Sequence, residues 1–173
     1  MKVLVMGATG LLGSNLISIL DERNINFVGS IRKSSHTQRF RQSMSSKLSL
    51  IDNIYDYQNL RDYIDIHDPK IIVNCLSLPA EKFKSSSFKS FIDIYASVPV
   101  MIRHICSIKK IKYIHISSDG VFSGQNGPYT ESDIPDPKDY YGHAKLYGEV
   151  GAEFGIAIRT SIKIGRASCR ERV

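Results

Sequence analysis

Tyr141 and Lys145 stand four residues apart in Tyr141-Gly142-His143-Ala144-Lys145, and on a helix that spacing puts a phenol and an ammonium on one face. A free phenol ionises at a pKa of about 10, and an adjacent ammonium favours the phenolate and lowers that value. Such a pair suits proton transfer to or from a reacting oxygen. Ser118, within Ser117-Ser118-Asp119, adds a hydroxyl able to hydrogen-bond a carbonyl and hold it in place. Ser117 reads as a cap or turn residue. Near the start, Gly7-Ala8-Thr9-Gly10-Leu11-Leu12-Gly13 spaces its glycines as G-x-x-G-x-x-G. Bare backbone at such a turn, opening a helix, is suited to a pyrophosphate.

Each glycine has a separate task. Gly7 ends an apolar run where a side chain would obstruct the turn, Gly10 lets the backbone approach a pyrophosphate, and Gly13 lets the helix pack on the strand. The helix start then presents N–H groups and a partial positive charge to the phosphates. The second strand ends in Gly29-Ser30-Ile31-Arg32-Lys33, and no acid occurs between Phe27 and Lys47. An acid at that point holds the ribose 2′-hydroxyl of NAD, whereas a basic residue accommodates the 2′-phosphate of NADP. Arg32 and Lys33 therefore favour NADPH, and their reading as plain surface charge leaves NADH open. With a nicotinamide hydride donor, Ser118, Tyr141 and Lys145 make a carbonyl-reducing set. Ser118 orients the carbonyl, Tyr141 protonates its oxygen, and Lys145 lowers the phenol's pKa and holds the nicotinamide ribose.

The elements that must position these groups alternate. Strands are expected at Lys2–Met6, Asn26–Ile31, Leu48–Ile51, Lys70–Leu76 and Tyr113–Ser117, with a sixth beginning at Ile156–Ile158. Helices are expected from Leu12 to about Glu22, over Gln58–Ile66, over about Phe88–Ile108 and over Tyr140–Phe154. Pro99 must kink the third of these or divide it. The polar stretch Arg32–Lys47 reads as a loop. Strand and helix in alternation predict an α/β, doubly wound parallel sheet of the Rossmann type, with ligands beyond the carboxyl ends of its strands.

Composition limits the alternatives. The chain has 173 residues, enough for one domain with a substantial core, and its 23% charged content is ordinary for a globular protein. No apolar run approaches the roughly 20 residues of a bilayer span, and Met1-Lys2 leads straight into the first strand without a signal-peptide pattern. A cytoplasmic protein that binds no membrane is expected. Cys75, Cys106 and Cys169 lack paired or metal-type spacing and the five histidines are scattered, so reduced thiols and no metal site are expected. Residues 164–173 resemble a translated sequencing adapter, so they are expected to be a non-native tail on a domain of residues 1–163. The tail carries three arginines and one glutamate, so without it the formal charge falls from +6 to +4. Arg32, Lys33, Arg39, Arg41 and Lys47 lie close together with no acid among them, but aromatic interleaving and a recognition helix are lacking, so nucleic acid is not an expected partner.

Taken in order, Gly7–Gly13, Ile116-Ser117-Ser118-Asp119-Gly120-Val121-Phe122-Ser123-Gly124, Tyr129-Thr130-Glu131, Tyr141 to Glu149 and Ile158-Arg159-Thr160-Ser161 resemble the extended short-chain dehydrogenase/reductases of the dTDP-4-dehydrorhamnose reductase type. The resemblance covers residues 1 to about 163. It implies Ser118, Tyr141 and Lys145 as a catalytic triad, with Ser118 where the family usually carries threonine. It places Gly10, Leu11 and Leu12 on the pyrophosphate and Asp52 and Asn53 at the adenine. Cys75, Leu76, Ser77 and Leu78 would line the dinucleotide, and Asp119 would lie near the sugar nucleotide. The implied activity is NAD(P)H-dependent reduction of the 4-keto group of a nucleotide-activated 6-deoxyhexose, supplying a deoxysugar for a surface polysaccharide, with a homodimer as a candidate assembly.

Two departures from the family pattern stand out. Tyr95 occupies a position where the family usually has asparagine, and a phenol cannot copy a buried amide's hydrogen bonds, so an altered local geometry is expected. The family's C-terminal lobe, which grips the sugar nucleotide, has no counterpart in these residues. Three other readings compete. A 4,6-dehydratase would carry Asp-Glu after the catalytic hydroxyl, where this chain has Asp119-Gly120. A sugar-nucleotide epimerase holds NAD, which Arg32-Lys33 disfavours. A non-catalytic NADP-binding regulatory subunit is disfavoured by the retained Ser118, Tyr141 and Lys145.

Overall fold

A computed structural model describes residues 1–78, 88–149 and 155–161. Its six strands form one parallel sheet: β1 (Val3–Met6), β2 (Phe27–Ile31), β3 (Leu48–Leu50), β4 (Ile71–Asn74), β5 (Lys112–Ile116) and β6 (Gly155–Ile158), in the spatial order β3-β2-β1-β4-β5-β6. Strand β1 is central, with Val3 beside Phe27 on one flank and beside Ile71 on the other. The order reverses between β1 and β4, which opens a crevice at the carboxyl edge between them. The doubly wound Rossmann architecture expected from the alternating pattern is the one observed.

Side chains alternate across β1. Leu4 and Met6 pack on one face with Leu60, Ile64, Ile72, Ile102 and Ile105, while Val3 and Val5 pack on the other with Ile17, Phe27 and Val73. Helix α1 (Leu11–Glu22) covers the second face through Ile17 and Leu20. Helix α3 (Tyr57–His67) covers the first, and its start is fixed by Asp56, whose carboxylate accepts the Asn59 N–H at 2.8 Å.

The stretch expected as a plain loop, Arg32–Lys47, holds a 3₁₀ segment (Ser34–Arg39) and one turn of helix, α2 (Gln42–Ser45). Met44 is buried against the second face of the sheet, and this apolar anchor organises a polar stretch whose composition suggested none. The expected helix over about Phe88–Ile108 is observed as α4 (Phe88–Ile92), a wider turn at Asp93–Ser97 and α5 (Val98–Lys109). Pro99 therefore sits in the first turn of α5, where a missing N–H is tolerated. It has no N–H to offer the carbonyl of Tyr95 four residues back, and the widening falls there. The run Phe88–Lys109, at 22 residues, is long and apolar enough to cross a membrane by length and composition, contrary to the expectation from the sequence. Val98, Ile102, Ile105 and Cys106 in this run are buried. Helix α6 spans Tyr140–Gly148; the remainder of the helix expected over Tyr140–Phe154, from residue 150, lies outside the described residues, as do residues 164–173 with Cys169.

Candidate functional site

The turn after β1 is built on backbone. Gly7 adopts φ +83°, and a Cβ there would lie 3.1 Å from the carbonyl of Cys75 and from the Leu76 nitrogen, after β4. A Cβ on Gly13 would overlap the Gly7 carbonyl oxygen, so α1 closes onto the turn only with glycine at that position. Ser30, buried at the end of β2, accepts the Gly7 N–H on its Oγ at 2.9 Å, and its carbonyl accepts the Ala8 N–H at 3.1 Å. Gly10 precedes α1 with no side-chain cap, and the first turn carries no acid. These features leave a positive helix end framed by glycine, a cradle whose chemistry fits a pyrophosphate. Arg32 and Lys33 are exposed just past β2, and Asp52 and Asn53 are exposed just past β3.

The carboxyl edge brings the other predicted residues to the same side. Ser118 follows β5, is 7% exposed, and accepts the Gly120 N–H at 3.1 Å while its Oγ lies 3.2 Å from Asp119 Oδ1. Tyr141 lies in the first turn of α6, which Asp139 caps by accepting the Gly142 N–H at 2.7 Å. The Tyr141 side chain hydrogen-bonds that of Ser118. Lys145 is one turn further on and 5% exposed; its ammonium donates to the Ile116 carbonyl at 3.0 Å and lies 4.8 Å from the centre of the Tyr95 ring. The Lys145 charge also reaches Cys75, which abuts Gly7, so the cradle and the phenol–ammonium face form one locus.

The electrostatics correct one expectation. Burial raises the Tyr141 pKa, with smaller upward contributions from Tyr95, Asp119 and Asp139, and the Ser118 hydrogen bond opposes them. The net direction is therefore upward, not the lowering expected from Lys145, whose ammonium lies on the Ile116 carbonyl and the Tyr95 ring. Burial lowers the Lys145 pKa to about 8, against upward pulls from Cys75 and Glu149. Tyr141 thus keeps its proton at neutral pH. Burial also pushes the Cys75 thiol up to about 11, which makes it a packed neutral group.

Three features lay beyond the reading of the sequence. Ser117, expected as a cap or turn residue, donates its hydroxyl to Glu149, which Arg159 grips through Nε at 3.1 Å and Nη2 at 2.9 Å. This network ties the end of β5 to the end of α6 and to β6. Asn74, Tyr113 and His115 form a buried polar cluster beneath Lys145, with Asn74 Nδ2 at 3.0 Å from the Tyr113 hydroxyl and 3.2 Å from His115 Nδ1. Tyr95 is fully buried and bonded through its hydroxyl to the Ser77–Leu78 segment. Polar residues in otherwise apolar strands (Asn74, His115) were a visible signal for the second of these. Among the described residues no cluster of His, Cys, Asp or Glu suits a metal.

A Rossmann sheet with a glycine turn and a Ser–Tyr–Lys grouping at its carboxyl edge defines a dinucleotide-binding fold of the short-chain reductase type. Residues 1–161 match the family described as the RmlD substrate binding domain, and the chain belongs to that family. It is 31% identical over 150 residues to the probable low-salt glycan biosynthesis reductase Agl14 of Haloferax volcanii, covering 86% of this chain and 48% of the relative. It is also 31% identical over 148 residues to the methionine adenosyltransferase 2 subunit beta of Rattus norvegicus, covering 86% of this chain and 41% of the relative. The crystal structure of a hypothetical dTDP-4-dehydrorhamnose reductase from Sulfolobus tokodaii superposes with a TM-score of 0.77 at 29% identity, covering 92% of this chain and 56% of that one. The chain spans about half the length of these relatives.

Proposed function

We propose that this chain is the nucleotide-binding part, residues 1–163, of an NADPH-dependent reductase acting on the 4-keto group of a nucleotide-activated 6-deoxyhexose, with residues 164–173 as a non-native tail. The observation that carries the reading is the grouping of Ser118, Tyr141 and Lys145 beside the Gly7–Gly13 cradle. The similar proteins named as reductases, one for glycan biosynthesis and one for dTDP-4-dehydrorhamnose, support it and favour a role in making surface polysaccharide.

Gly7, Gly10, Leu11, Leu12 and Gly13 would hold the pyrophosphate, Arg32 and Lys33 the 2′-phosphate, Asp52 and Asn53 the adenine, and Cys75, Leu76, Ser77 and Leu78 the body of the dinucleotide. When bound, the reduced nicotinamide supplies a hydride. The chain's own residues do the rest. Ser118 Oγ donates to the carbonyl oxygen and fixes it against Tyr141. Tyr141, held protonated by burial, supplies the proton that the developing alkoxide needs. Lys145, one turn along α6 from Tyr141, would hold the ribose and offer the nearest cation to the phenolate left behind once its ammonium leaves Ile116. Asp119, exposed beside Ser118, would meet the sugar nucleotide.

Calorimetric titration of the chain with NADPH and NADH tests the binding half; tighter NADPH is expected, and uptake of neither nucleotide refutes the reading. A longer form of the protein, given a nucleotide-linked 4-keto sugar, tests turnover, which Tyr141→Phe should abolish. A second reading rests on the similarity to a protein named as the beta subunit of an adenosyltransferase: a regulatory subunit would bind NADPH without ever oxidising it.

A further inference from the structure

Tyr95 sits in the wide turn between α4 and α5 and touches Tyr141, Lys145 and the Ser77–Leu78 segment. Its ring meets the Tyr141 ring edge-on, with centroids 5.1 Å apart and planes at 89°. The Lys145 ammonium lies 4.8 Å from the centre of the same ring. Its hydroxyl accepts the Leu78 N–H at 3.0 Å and lies 3.0 Å from Ser77 Oγ. Ser77 Oγ in turn donates to the Leu78 carbonyl at 3.3 Å. The proton directions follow: Leu78 N–H points to Tyr95, the Tyr95 proton goes to Ser77, and the Ser77 proton goes to Leu78. One buried phenol thus closes a ring of hydrogen bonds with the segment that follows β4, while its face and edge contact the ammonium and phenol of α6.

Packing of α6 reinforces this placement. A Cβ on Gly148 would overlap the Tyr95 carbonyl oxygen and would lie 3.4 Å from Pro99 Cβ. Helix α6 therefore rests directly on the backbone of the wide turn. An ordinary core phenylalanine would fill the same space and make the same ring contacts. The hydroxyl is the added element, and it is spent on the Ser77–Leu78 backbone.

We propose that Tyr95 is a positioning residue that holds the Ser77–Leu78 segment in register with Tyr141 and Lys145, so that the nicotinamide half of a bound dinucleotide meets the proton-donating pair. The proposal rests on the nucleotide-binding reading above. An amide would serve this purpose poorly here, because a single side chain must span from α6 to the β4 edge, and the aromatic ring supplies both the reach and the surface for Lys145.

The test uses the full chain and two variants, Tyr95→Phe, which keeps the ring, and Ser77→Ala, which removes the acceptor of the Tyr95 proton at an exposed position. Three quantities are measured: hydrogen exchange at the Leu78 amide, affinity for NADPH, and affinity for adenosine 2′,5′-bisphosphate, which lacks the nicotinamide half. In Tyr95→Phe, Leu78 exchange should quicken about tenfold and NADPH binding should weaken about tenfold, as loss of one buried hydrogen bond predicts. Bisphosphate affinity should hold, while the melting temperature falls by only the few degrees that one hydrogen bond accounts for. Ser77→Ala should also quicken Leu78 exchange, and that readout carries the test if Tyr95→Phe fails to fold; its NADPH affinity does not, because Ser77 would itself line the dinucleotide. Unchanged Leu78 exchange, or equal loss of NADPH and bisphosphate affinity, overturns the proposal, the latter by showing a general structural effect. Wild-type binding of NADPH with equal affinity in Tyr95→Phe also overturns it, alone. A wild-type chain that takes up neither NADPH nor NADH overturns the nucleotide-binding reading itself.

Discussion

His115 offers a sharp test of the buried polar cluster under the site. It is 3% exposed, and its protonation state can be assigned from its neighbours. Asn74 Oδ1 accepts the Leu76 N–H at 3.1 Å, so Asn74 Nδ2 must be the atom that faces His115 Nδ1 at 3.2 Å. Nδ1 is then an acceptor and the ring is neutral with its proton on Nε2. Protonating Nδ1 would place an N–H against an N–H, inside the core and within reach of the Lys145 charge. Burial first, and Lys145 second, lower the His115 pKa from 6.5 to about 3.

The sign follows from linkage. Between about pH 3 and pH 6.5 the unfolded chain binds a proton at His115 that the folded chain refuses, so stability rises with pH through that window. The contribution is fully present above pH 6.5 and is lost progressively as the pH falls toward 3. At pH 5, about 1.5 units below the unfolded value, the loss is about 2 kcal/mol. Urea denaturation at pH 7.0, 6.0, 5.5 and 5.0 (all about or above 5, clear of most carboxylate titration) measures it against His115→Gln, which has no such proton to take up. The wild type should lose about 2 kcal/mol more than the variant across that range, whatever their difference at pH 7. Parallel slopes would refute the buried neutral assignment. His67, whose pKa burial also lowers, titrates in both proteins and cancels.

Three further outcomes are expected. Gly13→Ala places a methyl on the Gly7 carbonyl oxygen and should cost about 1–3 kcal/mol or more by denaturation; calorimetry should show NADPH binding lost as well. Glu149→Gln leaves Arg159, with 26% of its side chain exposed, without its charged partner and should destabilise the fold by about 3 kcal/mol in urea, a difference that a merely surface pair would not produce. Arg32→Asp should reverse the nucleotide preference toward NADH in a competitive titration, and an unchanged preference would assign Arg32 to plain surface charge.

Much of this was legible in the chain. Short apolar runs separated by helical periodicity dictate parallel strands with crossovers, because buried strands must be apolar on both sides and their connections must be long. Gly7, Gly10 and Gly13, and the four-residue step from Tyr141 to Lys145, are local patterns whose geometry follows from backbone sterics and helix pitch. Residues 32–47 were misjudged as a loop because Met44 finds its burial only against a distant face of the sheet.

Tertiary structure decided the electrostatics. Sequence spacing puts the Lys145 ammonium near the Tyr141 phenol, but it cannot weigh the Ile116 carbonyl and the Tyr95 ring, which hold that ammonium instead. The phenol's pKa rises because burial outweighs the Ser118 hydrogen bond that opposes it. Ser117, Glu149 and Arg159 lie in three separate motifs along the chain and meet only when β5, α6 and β6 assemble. Tyr95 looked like a poor substitute for an amide; the fold gives its hydroxyl the Ser77–Leu78 backbone and its ring the Lys145 charge. Local pattern determined which groups the protein has and on which edge they lie, because strand and helix geometry are short-range. Which charge each group feels was set by contacts between residues far apart in the chain, and only the folded structure brings those together.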